Sequence, residues 1–176
     1  IGFGKVARGV ANIANGMGME IHAYDPYVDA DIIDSAVYTM HNDIDEIFRI
    51  CTHISIHCNL SDETRHLVNS RRLSLMGGIG ADGTECGNHL VSCARGGIID
   101  ETAAFEALQS GQLSSLALDV FETEPVNDCP LLQHENFHGT PHIAASTIEA
   151  QSRISREITV QLLEFFEGER PSSALN

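Results

Sequence analysis

Gly2-Phe-Gly-Lys-Val-Ala7 opens the chain, and Asp25 stands 21 residues after Gly4. The stretch has the form G-x-G-x-x-A. Its first glycine makes a tight turn, its second lets the backbone approach a pyrophosphate, and a small third residue lets helix and strand pack closely. The run from Lys5 to Asn15 reads as a helix with Val6, Val10, Ile13 and Ala14 on one face, ended by Gly16 and Gly18. Amides near Lys5 and Val6, at the start of that helix, are placed to meet phosphates. Glu20 to Tyr24 reads as a strand that stops at Asp25-Pro26. An acid at that point accepts from the ribose hydroxyls and repels a 2′-phosphate, which favours NAD over NADP.

Working outward, strand and helix signals alternate, as in a parallel sheet with crossover helices. Helices are expected over 43–49, across most of 62–76 with Ser61 as its cap, over 101–110 with Asp100 near its start, and over 147–168. Strands are expected over 53–57, 89–93, 115–120 and 137–140, and a loop over 125–135. Gly77 to Gly87 carries five glycines in eleven residues and reads as a surface loop. The expected fold is a Rossmann-type, doubly wound parallel α/β sheet with helices on both faces and its first strand largely missing. Only Ile1 remains of the apolar strand that should enter the Gly2 turn. Removing about four buried aliphatics costs roughly 6–12 kcal/mol, against a total domain stability of about 5–15 kcal/mol. The chain is therefore expected to be a fragment of a longer protein.

Composition narrows the function classes. The 176 residues are 43 % hydrophobic, which suits a folded domain. A formal net charge of −15 with only 10 Lys and Arg opposes nucleic acid and anionic membrane as partners. No apolar run reaches the roughly 18 residues of a membrane span. The five cysteines, at 51, 58, 86, 93 and 129, show no C-x-x-C spacing, so no metal site is expected. Free thiols in a reducing, cytoplasmic compartment are the expectation.

Three later motifs carry chemistry: Cys93-Ala-Arg-Gly-Gly-Ile-Ile-Asp100, Leu118-Asp-Val-Phe-Glu-Thr-Glu-Pro125 and Thr140-Pro-His-Ile-Ala-Ala-Ser-Thr147. Reducing a 2-keto acid needs a cation for the carboxylate and carbonyl. It also needs a proton donor at the carbonyl and a group that tunes the donor. Arginine offers a two-pronged cation, and histidine exchanges protons near neutral pH. A nearby carboxylate favours the protonated imidazole and orients its ring. Arg95, Glu124 and His142 fit these roles, with Glu122 as a competitor for the carboxylate. His57 ends a strand on the cofactor side, whereas His22, His41, His66, His134 and His138 carry no supporting pattern.

With these motifs in view, the chain resembles the NAD-binding domain of the D-2-hydroxyacid dehydrogenase family. Glu124 follows Arg95 by 29 residues and His142 follows Glu124 by 18, a spacing familiar in the family. Within it, the motifs and the ending Gly168-Glu-Arg-Pro-Ser-Ser-Ala-Leu-Asn176 are most similar to the phosphoglycerate dehydrogenases. The resemblance implies that His142 is the acid/base, Glu124 its partner and Arg95 the substrate anchor. For NAD it implies contacts from Lys5 and Val6 to the pyrophosphate and from Asp25 to the ribose. It implies further cofactor contacts at Cys58, Cys93, Ala94, Asp119, Ala144 and Ala145, beside the glycines Gly2 and Gly4. It also implies a 2-hydroxy acid substrate, with 3-phosphoglycerate and serine biosynthesis favoured, and a homo-oligomer, dimer or tetramer. The domain is expected over 1–168, with 169–176 leading back toward an absent substrate domain.

Two departures from the family stand out. Gly77–Gly87 is longer than the usual turn by about eight residues, which puts the register of the following strand at stake. Asn59 stands where the family has a proline that shapes the adenine pocket. Three other readings stay open from sequence: a glyoxylate or hydroxypyruvate reductase, an NAD-sensing interaction protein like the corepressors of this fold, and an inactive fragment.

Overall fold

A computed structural model describes residues 1–28 and 37–171. It divides into two units, 1–141 and 142–176, which are taken separately. Residues 172–176, part of the segment expected to lead toward a second domain, lie outside the described residues.

The first unit is parallel α/β. Helix α1 (Lys5–Gly16) leads to β1 (Ile21–Ala23), which pairs in parallel with β2 (Tyr38–Met40). Helix α2 (Ile44–Ile50) follows, then β3 (His53–Ile56), the short helix α3 (Ser70–Leu73) and β4 (His89–Ser92). Helix α4 (Glu101–Gln109), β5 (Ser115–Leu118), a 3-10 turn at Pro130–Gln133 and β6 (Phe137–Gly139) complete it. Strands β3-β4-β5-β6 form one parallel sheet and β1-β2 another. The parallel architecture expected from sequence holds.

Ile1 sits between the two sheets. Its amino group donates to the Ser55 carbonyl at 2.9 Å, and its own carbonyl accepts from His57 N–H at 2.8 Å. On the other side, Gly2 N–H donates to the Tyr24 carbonyl at 2.8 Å. Ile1 packs into the main core with Ile47, Phe48, Ile54 and Ile56. Phe3 joins Ala7, Ala11 and Ala23 in a second, smaller cluster beneath α1. Aliphatic residues of α2, β3, β4, α4 and β5 fill the main core, as the scarcity of aromatics requires.

Capping explains where helices begin. The Asp100 carboxylate accepts from Ala103 N–H at 3.0 Å and starts α4, and Asp43 does the same for α2 through Asp45 N–H at 2.9 Å. The region 62–76 departs from the sequence reading. It is a turn followed by one short helix, capped by Asn69 rather than Ser61. His66 adopts φ +49°, which no α-helix tolerates. Beyond it, His66 and Val68 N–H groups donate to the Gly97 and Ile98 carbonyls, and Asp100 N–H donates to the Val68 carbonyl. Pairing with a distant strand-like segment replaces the local helix.

The glycine-rich stretch 77–87 folds on itself. Gly80 N–H donates to the Thr84 carbonyl, and Cys86 and Gly87 N–H groups both donate to the Gly78 carbonyl. Asn88 then anchors the exit, donating to the Met76 and Gln112 carbonyls. Strand β4 starts in register, His89 opposite both His53 and Ser115, and ends with Ser92 opposite Ile56 and Leu118. The longer connection is absorbed before the strand begins.

The second unit holds α5 (Ile148–Phe166), capped by the Thr147 hydroxyl accepting from Ala150 N–H at 3.1 Å. Its Ile154, Ile158, Leu162 and Phe165 side chains are exposed.

Candidate functional site

In a parallel sheet every strand points the same way, so the residues just after each strand collect along one edge. Asp25 follows β1, Cys58 follows β3, Cys93 to Arg95 follow β4, Asp119 follows β5 and Thr140 follows β6. The phosphate turn at Gly2–Gly4 opens beside Tyr24, through the Gly2 bond. The sequence-predicted residues Asp25, Cys58, Cys93, Ala94, Arg95 and Asp119 thus lie at the ends of strands.

Sterics fix the turn. Gly2 has φ +81°, and a Cβ there would lie 2.6 Å from the Cys58 backbone nitrogen. A side chain at Gly4 would meet nothing within 4 Å, so the space over the start of α1 is open. Gly4 caps α1 without a side-chain bond, and the first turn carries no acid. Those features leave a helix N-terminus suited to an anion, with Lys5 and Val6 exposed beside it. Asp25 braces the turn: one carboxylate oxygen accepts from Phe3 N–H at 2.7 Å and the other from Tyr27 N–H at 2.9 Å. Each oxygen has a second lone pair for a ribose hydroxyl. The turn and its acid therefore fit a dinucleotide without a 2′-phosphate.

Further along, Asp119 is buried at 2 % exposure and accepts from the Thr140 hydroxyl at 2.6 Å. Thr140 had no assigned part in the sequence reading. Its signal was its place before Pro141-His142, at the end of a strand. The Cys93 thiol is pushed up by burial and by the Asp119 charge, and burial pushes up Cys58 as well. Both thiols are therefore neutral at pH 7 and add no negative charge to a phosphate site. Ala94 N–H donates to the Ser92 hydroxyl at 3.4 Å.

Arg95 is exposed at the edge, with its guanidinium donating to the Ala94 carbonyl at 2.6 Å. Gly96 next to it allows a close crossing: a Cβ there would fall 1.8 Å from the Phe121 carbonyl oxygen. The Arg95 and Glu124 loops can lie against each other only because that side chain is missing. Glu124 Oε1 accepts from Phe121 N–H at 3.0 Å, and a cis peptide joins Glu124 to Pro125.

Glu122 is held differently. Its carboxylate accepts from Glu101 N–H at 3.2 Å, its own N–H donates to Glu101 Oε1 at 2.6 Å, and His66 Nε2 lies 3.2 Å away. His66 also lies 3.9 Å from Asp100. No sequence pattern marked His66, because its partners are 34 and 56 residues away. His57 bonds the Ser55 hydroxyl at 2.8 Å, and burial pushes its pKa down to about 4. In the second unit, His142 adopts φ +54°, and the Ala145 carbonyl accepts from the Gln151 side chain at 2.9 Å.

The family described as D-isomer specific 2-hydroxyacid dehydrogenase, NAD binding domain, matches residues 1–144. The chain belongs to this family. It is 37 % identical over its whole length to a D-3-phosphoglycerate dehydrogenase of Methanocaldococcus jannaschii and spans 32 % of that protein. It is also 37 % identical to the human protein of the same name, spanning 31 % of it. Among solved structures it is similar to the NAD-complexed D-isomer specific 2-hydroxyacid dehydrogenase of Lactobacillus delbrueckii ssp. bulgaricus. That match has a TM-score of 0.81 at 25 % identity and covers 99 % of this chain and 54 % of the other. The chain therefore spans about a third of the curated relatives and about half of the solved chain. NAD is the cofactor of this domain family, in agreement with the open phosphate turn. No helix among the described residues is long and apolar enough to cross a membrane.

Proposed function

We propose that this domain serves a dehydrogenase that moves hydride between NAD and C2 of a D-2-hydroxy acid, with 3-phosphoglycerate as substrate. What supports the proposal is the Gly2–Gly4 turn braced by Asp25, together with the close crossing at Gly96 of the loops that carry Arg95 and Glu124. The choice of substrate rests on the phosphoglycerate dehydrogenases among the relatives.

In this reading Gly2, Gly4, Lys5 and Val6 hold the pyrophosphate and Asp25 holds the ribose. Cys58, Cys93, Ala94, Asp119, Ala144 and Ala145 line the rest of the cofactor. NAD supplies the hydride acceptor when bound. Arg95 anchors the substrate carboxylate through its planar fork. The His142 imidazole takes the C2 hydroxyl proton as the hydride leaves that carbon, and returns it in the reverse direction. Glu124 orients the imidazole. Glu122 instead bonds the start of α4 and lies beside His66.

The domain extends over 1–168 and residues 169–176 return toward a substrate domain, in a cytoplasmic homo-oligomer. The test is turnover of 3-phosphoglycerate by the longer protein that contains this chain. His142→Ala should lower kcat by about 10²–10⁴-fold with NAD affinity kept. Arg95→Ala should act mainly through KM for the acid. An unchanged kcat in His142→Ala would remove His142 from the mechanism.

A further inference from the structure

The ladder that joins β4, β5 and β6 runs one residue past the strands. Asp119 N–H donates to the Ser92 carbonyl at 3.0 Å, and Thr140 N–H donates to the Leu118 carbonyl at 2.9 Å. Leu118 pairs with Gly139, so the next residues, Asp119 and Thr140, stand as neighbours. Their side chains meet, the Thr140 hydroxyl donating to Asp119 Oδ1 at 2.6 Å. The two differ in access: Asp119 is buried and Thr140 is exposed. On the other side of Asp119, burial and the Asp119 charge together push up the Cys93 thiol just after β4.

That pairing sets the polarity of the Thr140 hydroxyl. A hydroxyl has one hydrogen and two lone pairs, and an ionised carboxylate can only accept. The short bond is that of a hydroxyl on such a carboxylate. With its hydrogen committed to Asp119, the Thr140 oxygen presents lone pairs outward. An unpaired threonine could turn its hydrogen to suit either kind of partner, whereas this one is held as an acceptor.

The phosphate turn decides which half of NAD faces it. Gly2 N–H bonds the Tyr24 carbonyl, and a Cβ on Gly2 would lie 2.6 Å from the Cys58 nitrogen, so the turn sits between the ends of β1 and β3. In a doubly wound sheet the two halves of a dinucleotide run to opposite sides of that turn. Asp25, after β1, suits the ribose of the adenosine half. The ends of β4, β5 and β6 are left for the nicotinamide half, whose ring bears a single hydrogen-bond donor, the carboxamide NH2.

We infer that Thr140 is a specificity-determining residue for NAD: its oxygen accepts from the carboxamide NH2, and Asp119 enforces that direction by holding the Thr140 hydrogen. This role of Thr140 rests on the proposed reading of the cofactor site, and it gives the buried Asp119 its part there. A dinucleotide with a carboxylate in place of the carboxamide offers only acceptors, and it meets lone pairs with a charge behind them. Valine at position 140 keeps the shape and removes the acceptor, while serine keeps the hydroxyl.

The test is calorimetric titration of the longer protein that contains this chain with NAD, with its nicotinic acid analogue and with ADP-ribose. ADP-ribose lacks the nicotinamide ring, so its affinity reports folding and the rest of the site. The unsubstituted protein should prefer NAD to the acid analogue. Thr140→Val should lower that preference by about fivefold, the worth of one neutral hydrogen bond, with ADP-ribose affinity unchanged. Thr140→Ser should keep the preference, and Asp119→Asn, which lets the hydroxyl turn, should lower it. Thr140→Ala replaces the valine variant if valine costs ADP-ribose affinity. An unchanged preference in Thr140→Val overturns the inference, because the Asp119 charge would then discriminate alone. So does a serine variant that behaves like the valine one. Asp25→Ala should weaken NAD and ADP-ribose alike. If it weakens neither, the cofactor reading fails and the role of Thr140 with it; if it weakens both while Thr140→Val keeps the preference, only the role of Thr140 fails.

Discussion

Two glycines show how differently the same residue type is constrained. Gly96 lies where a Cβ would sit 1.8 Å from the Phe121 carbonyl oxygen, a backbone atom that cannot swing aside. Gly9, on the exposed face of α1, has nothing within 4 Å of an added Cβ. Overpacking costs about 1–3 kcal/mol in ordinary cores, and a clash with backbone belongs at the upper end. Gly96→Ala should therefore destabilise by about 3 kcal/mol in urea unfolding. Gly9→Ala should stabilise by about 0.5–1 kcal/mol, since alanine is the better helix residue. Equal effects from the two would mean that the crossing of the Arg95 and Glu124 loops is not tight. The motif glycine Gly96 was visible in sequence, but its reason was not: Phe121 lies 25 residues downstream.

At the level of elements, Asp45 ties α2 to α3. Its carboxylate accepts from the Arg72 Nε at 2.9 Å and from the Arg71 guanidinium. Those two partners, led by Arg71, hold its pKa down from 3.8 to about 2. The folded value is below the unfolded one, so the tether contributes fully above about pH 5 and is lost as pH falls through about 2. The stability gap between the unsubstituted chain and Asp45→Asn should be widest above pH 5. It should narrow steadily toward pH 2, read from urea midpoints. A gap that stays constant or widens in acid would show that the carboxylate charge does not hold the two helices.

The same elements show what the sequence could say. Helices α1, α4 and α5 were legible as helices from local patterns, Asp100 at the start of α4 among them, but the face read on α1 was not the buried one: Val6 and Ile13 are exposed and Ala7 and Ala11 buried. Strands β3, β4 and β5 were legible as short aliphatic runs. The stretch 62–76 misled because its decisive bonds, from His66 and Val68 to Gly97 and Ile98, are long-range. Strand β2 went unread for a similar reason: Tyr38–Met40 is three residues long and exists through its pairing with β1. The candidate site was legible as spacing along the chain. The bracing of Asp25 on the phosphate turn and the Thr140 bond to Asp119 required the fold.

For the molecule as a whole, charge and exposed apolar surface oppose each other. The chain carries 25 acids against 10 Lys and Arg, a net −15, and its pI is about 4.8. At pH 7 and low salt, like charge keeps copies apart. Yet α5 exposes Ile154, Ile158, Leu162 and Phe165, and α1 exposes Val6, Val10 and Ile13. Apolar attraction acts only at contact, whereas the repulsion reaches about 10 Å at 0.1 M salt and about 3 Å at 1 M. Salt should therefore shorten the repulsion without weakening the attraction. Static light scattering at pH 7 should show the second virial coefficient falling from positive toward negative as salt rises from about 0.02 to 0.5 M. At fixed low salt it should fall similarly as pH approaches 4.8. Replacing Ile158 and Leu162 on α5 by lysine should raise the coefficient at high salt, where the added charge is screened and only the lost apolar contact counts. A coefficient indifferent to both salt and these substitutions would mean that charge does not govern the association of this chain.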